Sequence, residues 1–304
     1  MRKLRIGLVG LGSIAQKVYL PILSKATQWE IIGAFTPNQQ KGNLICSSYR
    51  IPYFDNLASL AKHCDAIFVH SATSSHFEVI NYLLNANIHV YVDKPLTEDI
   101  QQSEALIELA IKKKKKLMVG FNRRFAPFYQ SLKQQNTGLS SLRIEKHRCN
   151  SIGPNDTRFT LLDDYLHVVD TALWIAGSQA KLVSGSIIET DKNCLFYAEH
   201  HLQVNNCWVT TSMHRKSGSQ QEQLTAIYQD VIHQITNMNT WHSENSQSST
   251  IKSPNSWDSI LLQRGFIGAV EHFIDCVNND TAPITSGEQA IISQLMIEKM
   301  LANR

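Results

Sequence analysis

Short apolar runs alternate with longer amphipathic ones through the first 120 residues, and the two periods predict strands and helices in turn. Runs 4–9, 30–35, 66–70, 88–92 and 117–119 read as strands, and 14–26, 56–62, 76–86 and 100–114 as helices. Strands alternating with helices of this length imply βαβ units and a parallel sheet covered on both faces. The N-terminal half is therefore expected to be an α/β, doubly wound domain.

Beyond residue 122 the pattern changes. A strand at 142–148 precedes a polar loop and a helix holding 163–174; then 181–188, 195–204, 207–213 and 223–229 read as successive strands, with 231–236 a candidate fifth. Strands in a row without helices between them favour a mostly antiparallel, open sheet in an α+β domain. The stretch 239–256, rich in Ser, Asn and Gln, reads as a mobile surface loop. Two helices, 259–278 and 286–301, close the chain, parted by Asn278, Asn279, Asp280 and Pro283. The expected domains are 1–122 and 123–304.

Composition narrows the class. A chain of 304 residues suits two domains, and 43% apolar with 18% charged residues is the balance of a soluble globular protein. No apolar run approaches the about 20 residues that span a bilayer. The basic start, Met1 to Arg5, leads into a glycine turn and not a cleavage site, so no export signal is expected. A net charge of +3 is too small for a nucleic-acid partner. The five lysines Lys112 to Lys116 follow a helical segment, where cations favour the helix C-terminus. The six cysteines are scattered without ligand spacing, as reduced thiols of a cytoplasmic protein would be. His200, His201 and His214 lack an acid or thiol at ligand spacing, and no metal site is expected.

The chemistry starts at Gly10, Leu11, Gly12, Ser13, Ile14, Ala15, which matches GxGxxG/A between a strand and a helix. The first glycine permits the tight turn, the second lets the backbone of Gly12, Ser13 and Ile14 approach a pyrophosphate, and Ala15 allows close helix packing. The second strand should end on the residue that reads the ribose, yet it continues Phe35, Thr36, Pro37, Asn38 with no carboxylate. Thr36 and Asn38 near Lys41 mildly favour NADP, but Pro37 stands where an arginine would decide it, so the choice between NAD and NADP stays open. Ser71, Thr73 and His76 follow the next strand at the edge where ligands of such sheets bind, and Ser74 or Ser75 can also cap the helix after it. Asp93, Lys94 and Pro95 end a further strand, placing the Lys94 ammonium at the same edge to polarise a substrate oxygen, and Asn122 and Arg123 follow the last. Asp163 and His167, four residues apart, share one face of a helix, and an imidazole titrating near neutrality suits a proton acceptor.

Gly10 to Ala15, the Asp93, Lys94, Pro95 tripeptide, Gly120 to Phe125 and the segment from Asp163 to Trp174 together resemble the Gfo/Idh/MocA family of NAD(P)-dependent oxidoreductases, and within it the bacterial MviM-like branch. The resemblance covers nearly the whole chain. It implies a Rossmann domain, a second domain with a large open sheet, sugar, polyol or cyclitol-like substrates, and a homo-oligomer, dimer or tetramer, built through that sheet. It also implies that Lys94 assists at the substrate oxygen, that His167 is the general acid or base, and that Asp163 orients it. Asp93 stands where the family has glutamate. Tyr165 stands where members often have glycine, a bulk that would narrow the pocket or add a hydroxyl. Two other functions share these residues: an NAD-dependent glycosidase and a non-catalytic nucleotide-binding regulator.

Overall fold

The computed structural model describes residues 2–25, 28–135 and 138–303. Ala26, the end of the expected first helix, lies outside them, as do the terminal residues Met1 and Arg304. The chain forms two compact units, and they are not consecutive stretches: Met1–Phe121 with Phe266–Ile291, and Asn122–Gly265 with Ile292–Arg304. A single boundary at residue 122 does not describe this arrangement.

In the first unit, strands β1 (Leu4–Val9), β2 (Trp29–Phe35), β3 (Ala66–Val69), β4 (His89–Val92) and β5 (Leu117–Val119) form a parallel sheet in the order β2-β1-β3-β4-β5. The apolar runs are buried, as sheets covered on both faces require. Helices Gln39–Tyr49, Leu57–Ala61 and Ile100–Lys113 start where Asn38, Asn56 and Asp99 accept the amides of Lys41, Ser59 and Gln102. The lysine run ends the last of these: Lys112 and Lys113 sit in its final turn, and Lys114 is the left-handed C-cap. The returning segment joins this core because Phe273 meets Phe68 and Tyr91 edge to face at 5.3 and 5.6 Å, and the Val119 amide donates to Thr285 O at 2.9 Å.

The expected helix 259–278 is two helices, Ile260–Gln263 and Phe266–Asn278. Gly265 breaks it: its φ is +78°, and a Cβ there would lie 2.2 Å from Asn122 O and 2.4 Å from Ala126 N.

The second unit holds an eight-stranded sheet in the order β13-β12-β11-β10-β6-β9-β8-β7. These are β6 (Ser141–His147), β7 (Lys181–Glu189), β8 (Leu195–Val204), β9 (Cys207–His214), β10 (Gln221–Tyr228), β11 (Val231–Thr236), β12 (Thr240–Glu244) and β13 (Ser249–Lys252). Every pairing is antiparallel except β6 with β9, which is parallel. The expected loop 239–256 is corrected by the β12–β13 hairpin. Its anchor is Trp241, 5% exposed, packed edge-on to Phe128 and donating Nε1–H to Ser243 Oγ at 2.6 Å, while the polar residues around it complete main-chain ladders. The helix expected over 163–174 runs from Thr157–Thr160 through a π-helical Leu161–Tyr165 into Leu166–Ala176. Among the described residues no helix is long and apolar enough to cross a membrane.

Candidate active site

The glycine turn leaves the end of β1 with Gly10 at φ +87°, where a Cβ would stand 2.5 Å from Ser71 N and 2.6 Å from His70 O. Gly10 is required by the protein's own backbone. Gly12 differs: a Cβ there would meet nothing nearer than His70 O at 3.9 Å. The space over Gly12 is open, which fits a backbone that a pyrophosphate must approach, beside free amides at the start of a helix. Ala15 is wholly buried and opens a π-helical turn, Ala15–Tyr19, that carries Tyr19 inward.

Asp93 is held rather than free. Tyr19 Oη donates to its Oδ1 at 2.9 Å and His70 Nδ1 to its Oδ2 at 3.0 Å, with the His70 ring stacked on Tyr19 at 3.8 Å. Tyr19 spends its proton on Asp93, so Tyr91, 3.1 Å away, donates to Tyr19. Burial would raise the Asp93 carboxyl, but His70, Tyr19 and Lys94 outweigh it and hold it below the usual range. Burial and Asp93 push both tyrosines up, so they stay protonated. Gly120 makes room for the cluster: a Cβ there would lie 3.0 Å from Tyr91 Oη and 3.3 Å from both Asp93 Oδ1 and Tyr19 Oη. Lys94, half-buried, follows Asp93 directly. The partners Tyr19, His70 and Tyr91 escaped sequence reasoning because no spacing links them.

The other expected cofactor residues of this unit fall into two groups. Thr36 is half-buried at the end of β2, its carbonyl accepting from Tyr53 Oη at 3.0 Å, while the Asn38 side chain is committed as a helix cap at 2.9 Å from Lys41 N. Ser71 Oγ accepts from Ser75 at 2.8 Å, and Thr73 opens a single 3₁₀ turn. His76 is buried, with Nδ1 at 3.0 and 3.2 Å from the carbonyls of Pro95 and Leu96 and Nε2 at 3.2 Å from that of Ser71. Burial draws its pKa down. His76 thus braces the turn after Lys94 against the turn after β3.

In the second unit, Asn122 Nδ2 donates to Arg264 O at 2.8 Å. Arg123 is buried and grips Glu222 at 2.7 and 2.6 Å, with Tyr129 donating to the same carboxylate at 3.1 Å. Arg124 does the same with Asp170 at 2.9 and 2.6 Å, and Ser293 adds a bond at 2.8 Å.

His167 lies half-buried, one turn beyond Asp164. The Asp163 side of the expected pair is exposed, and it is Asp164 that turns inward. Both acids lie in the π-helical Leu161–Tyr165, where the Leu166 amide donates to Leu161 O before the α-helix that carries His167 begins. Asp164 accepts from Arg148 Nε and Nη2 at 3.0 Å each and Arg215 Nη1 at 2.5 Å, and pairs with Lys146. Lys146 and Arg148 hold its carboxyl well below the usual carboxylate range against the opposing effect of burial. Tyr165 is wholly buried, its hydroxyl bonded to Thr211 O at 2.9 Å, Thr211 Oγ1 at 2.7 Å and His200 Nδ1 at 3.0 Å. It is committed to the sheet, and His200 in turn fits because β7 has Gly185 opposite it, where a Cβ would come within 2.2 Å.

Comparison with known proteins gives two family matches: the oxidoreductase family with an NAD-binding Rossmann fold over residues 4–121, and a YceM-like C-terminal domain over residues 127–246. The YceM protein of Salmonella typhimurium is 53% identical over 300 residues, covering 99% of this chain and 98% of that protein. A dehydrogenase, MviM, of Clostridium difficile superposes with a TM-score of 0.98 at 45% identity over 100% of both chains. A UDP-N-acetylglucosamine 3-dehydrogenase of Acidithiobacillus ferrooxidans is 26% identical over 184 residues, 59% of this chain and 56% of its own length.

Proposed function

The chain belongs to the Gfo/Idh/MocA family of NAD(P)-dependent oxidoreductases, and from that premise we propose that it moves a hydride between NADP and a secondary alcohol or ketone of a sugar, polyol or similar small molecule. The observation that carries the reading is the open space over Gly12 at the end of β1. The turn's backbone amides hold the pyrophosphate, and the bound nicotinamide supplies the hydride acceptor or donor. A relative named for dehydrogenation of UDP-N-acetylglucosamine supports a sugar as substrate. NADP is favoured over NAD because residues 35–41 carry no carboxylate to accept from a ribose 2′-hydroxyl, while Lys41 lies nearby.

In alcohol oxidation His167 accepts the hydroxyl proton as the hydride leaves carbon, and in ketone reduction it returns it. Lys94 donates to the same oxygen and lowers the cost of negative charge there. The six free cysteines fit a reducing cytoplasm. The same reading has copies of the chain meeting through the outer face of the eight-stranded sheet.

The test is turnover. Purified protein with NADP or NAD is offered a panel of sugars, polyols and their ketones while the nicotinamide absorbance is followed. Substrate-dependent change with NADP bound more tightly than NAD is expected, and His167→Ala should lower kcat by about 10²-fold or more with cofactor affinity unchanged. Tight cofactor binding with no turnover across the panel overturns the reading, as does an unaltered rate in His167→Ala.

A further inference from the structure

The one parallel pairing in the second unit's sheet sets two arginines side by side. β6 and β9 run in register with His147 opposite His214, so the next residue of each, Arg148 and Arg215, leaves the sheet on the same edge. The Arg148 amide donates to His214 O at 2.8 Å and carries the ladder one step further. Neighbouring strands lie about 4.8 Å apart, so two like charges are forced together there. Lys146 adds a third cation from the same strand.

Among the described residues Asp164 is the one carboxylate within ion-pair distance of these three cations, with Glu222 acting on Lys146 and Arg148 from further off. Both of its oxygens are occupied, and its low pKa keeps it ionised. Neighbouring Arg123 brings no relief, because Glu222 matches it one to one. With Lys146 titrating near neutrality, between one and two positive charges are left over. The side chains of Lys146, Arg215 and Arg148 are 7%, 12% and 28% exposed, so water screens the surplus only in part, yet Arg148 remains within reach of a solute. Lys146 registers the excess: burial first, then Arg123 and Arg148, bring its ammonium down to about 7.

We propose that Arg148 and Arg215 form a subsite for an anionic phosphate group carried by the sugar substrate. The inference rests on the oxidoreductase reading above and gives its substrate a class. Asp164 fixes both guanidinium groups by taking the Nε and Nη2 donors of Arg148 and Nη1 of Arg215, and Arg148 Nη1 and Arg215 Nη2 are the donors that remain for phosphate oxygens. Asp164 precedes His167 by three residues in the same helical stretch, which ties the proposed subsite to the proposed proton acceptor.

The experiment uses NADP-saturated protein, so that the cofactor's own phosphate sites are filled, and titrates inorganic phosphate by calorimetry. Saturable binding is expected, weakened about tenfold or more in Arg148→Gln and in Arg215→Gln with NADP affinity unchanged. Arg148→Lys, which keeps the charge, should recover part of the loss, and thermal transitions of all variants show that they fold. No saturable phosphate binding, or equal affinity in wild type and both glutamine variants, overturns the subsite. The panel assay separates the two claims. If neutral sugars turn over as well as their phosphate esters, the subsite falls and the oxidoreductase reading stands. If phosphate binds as described and no compound is turned over, the subsite stands and the reading falls.

Discussion

Among the described residues Asp164 is the one carboxylate paired with three cations, and removing it leaves all three without an ion-pair partner. Asp164→Asn should cost about 3–5 kcal/mol, the usual effect of breaking a buried ion cluster, and should appear as a lower urea midpoint with the slope unchanged. Lys146 makes a pH-dependent contribution of the opposite sign. Its folded pKa of about 7 lies below the ordinary lysine value, so between the two the unfolded chain binds more protons. Stability must then rise with pH from about 7 to about 10, whereas below about 7 the penalty is fully present and constant. Relative to Lys146→Met, the wild type should gain thermal stability on going from neutral to alkaline buffer; a constant difference would contradict this. At this scale the sequence showed an acid doublet, Asp163 and Asp164, and it did not show that Asp164 is the one buried among cations. The π-helical turn that carries both leaves no mark in residue type. Lys146, Arg148 and Arg215 were equally hidden, since only strand register brings 148 beside 215.

The glycine turn separates two uses of one residue type within a single element. Gly10→Ala forces a side chain into a positive-φ position against Ser71 N and should destabilise the fold by more than the about 1–2 kcal/mol of the backbone strain alone. Gly12→Ala meets only open space, so its melting temperature should stay near wild type while cofactor affinity falls. Equal effects on stability would remove the distinction. The glycine turn and the five parallel strands were legible because each is a local pattern of residue types. The helix Gln39–Tyr49 was not, because Gly42, Asn43, Ser47 and Ser48 dilute its pattern and the Asn38 cap, with packing on the sheet, does the stabilising. The β12–β13 hairpin escaped for the converse reason: its serines and threonines satisfy main-chain ladders with one buried tryptophan as anchor.

At the scale of the whole molecule, the outer face of the eight-stranded sheet is the surface through which the proposed function has copies of the chain meet. Register lines up Trp208, Ser141, Ile227 and Ile232 across four strands, with Trp208 52% exposed and the two isoleucines 40% each. The next row carries Arg143, bridging Glu145 and Glu199 at 3.0 and 3.4 Å, a charged border beside an apolar strip. Such a strip within a polar rim is the anatomy of an interface. Trp208→Glu should therefore lower the mass measured by sedimentation to that of a single chain without altering the circular dichroism, and an unchanged mass would exclude this face. The alternation of element types foretold both sheets, whereas the return of Phe266–Ile291 to the first core did not show in a linear pattern, because the pairing of Phe273 with Phe68 and Tyr91 is a long-range one.

The parallel pair β6 and β9 has a last consequence, for how this chain can vary. Antiparallel neighbours can be joined by a tight hairpin, but parallel ones need a crossover of a dozen residues or more. Here residues 148–206 make that crossover, and the helix bearing Asp164 and His167 is part of it. Length added at the β7–β8 hairpin, around Asp191 and Asn193, leaves both anchor points of that helix alone; length added at 149–156 shifts it along the strand exits. Tolerance to insertion should therefore be high at the first place and absent at the second, so that substrate range can diversify among relatives by side-chain exchange on a crossover of nearly fixed span.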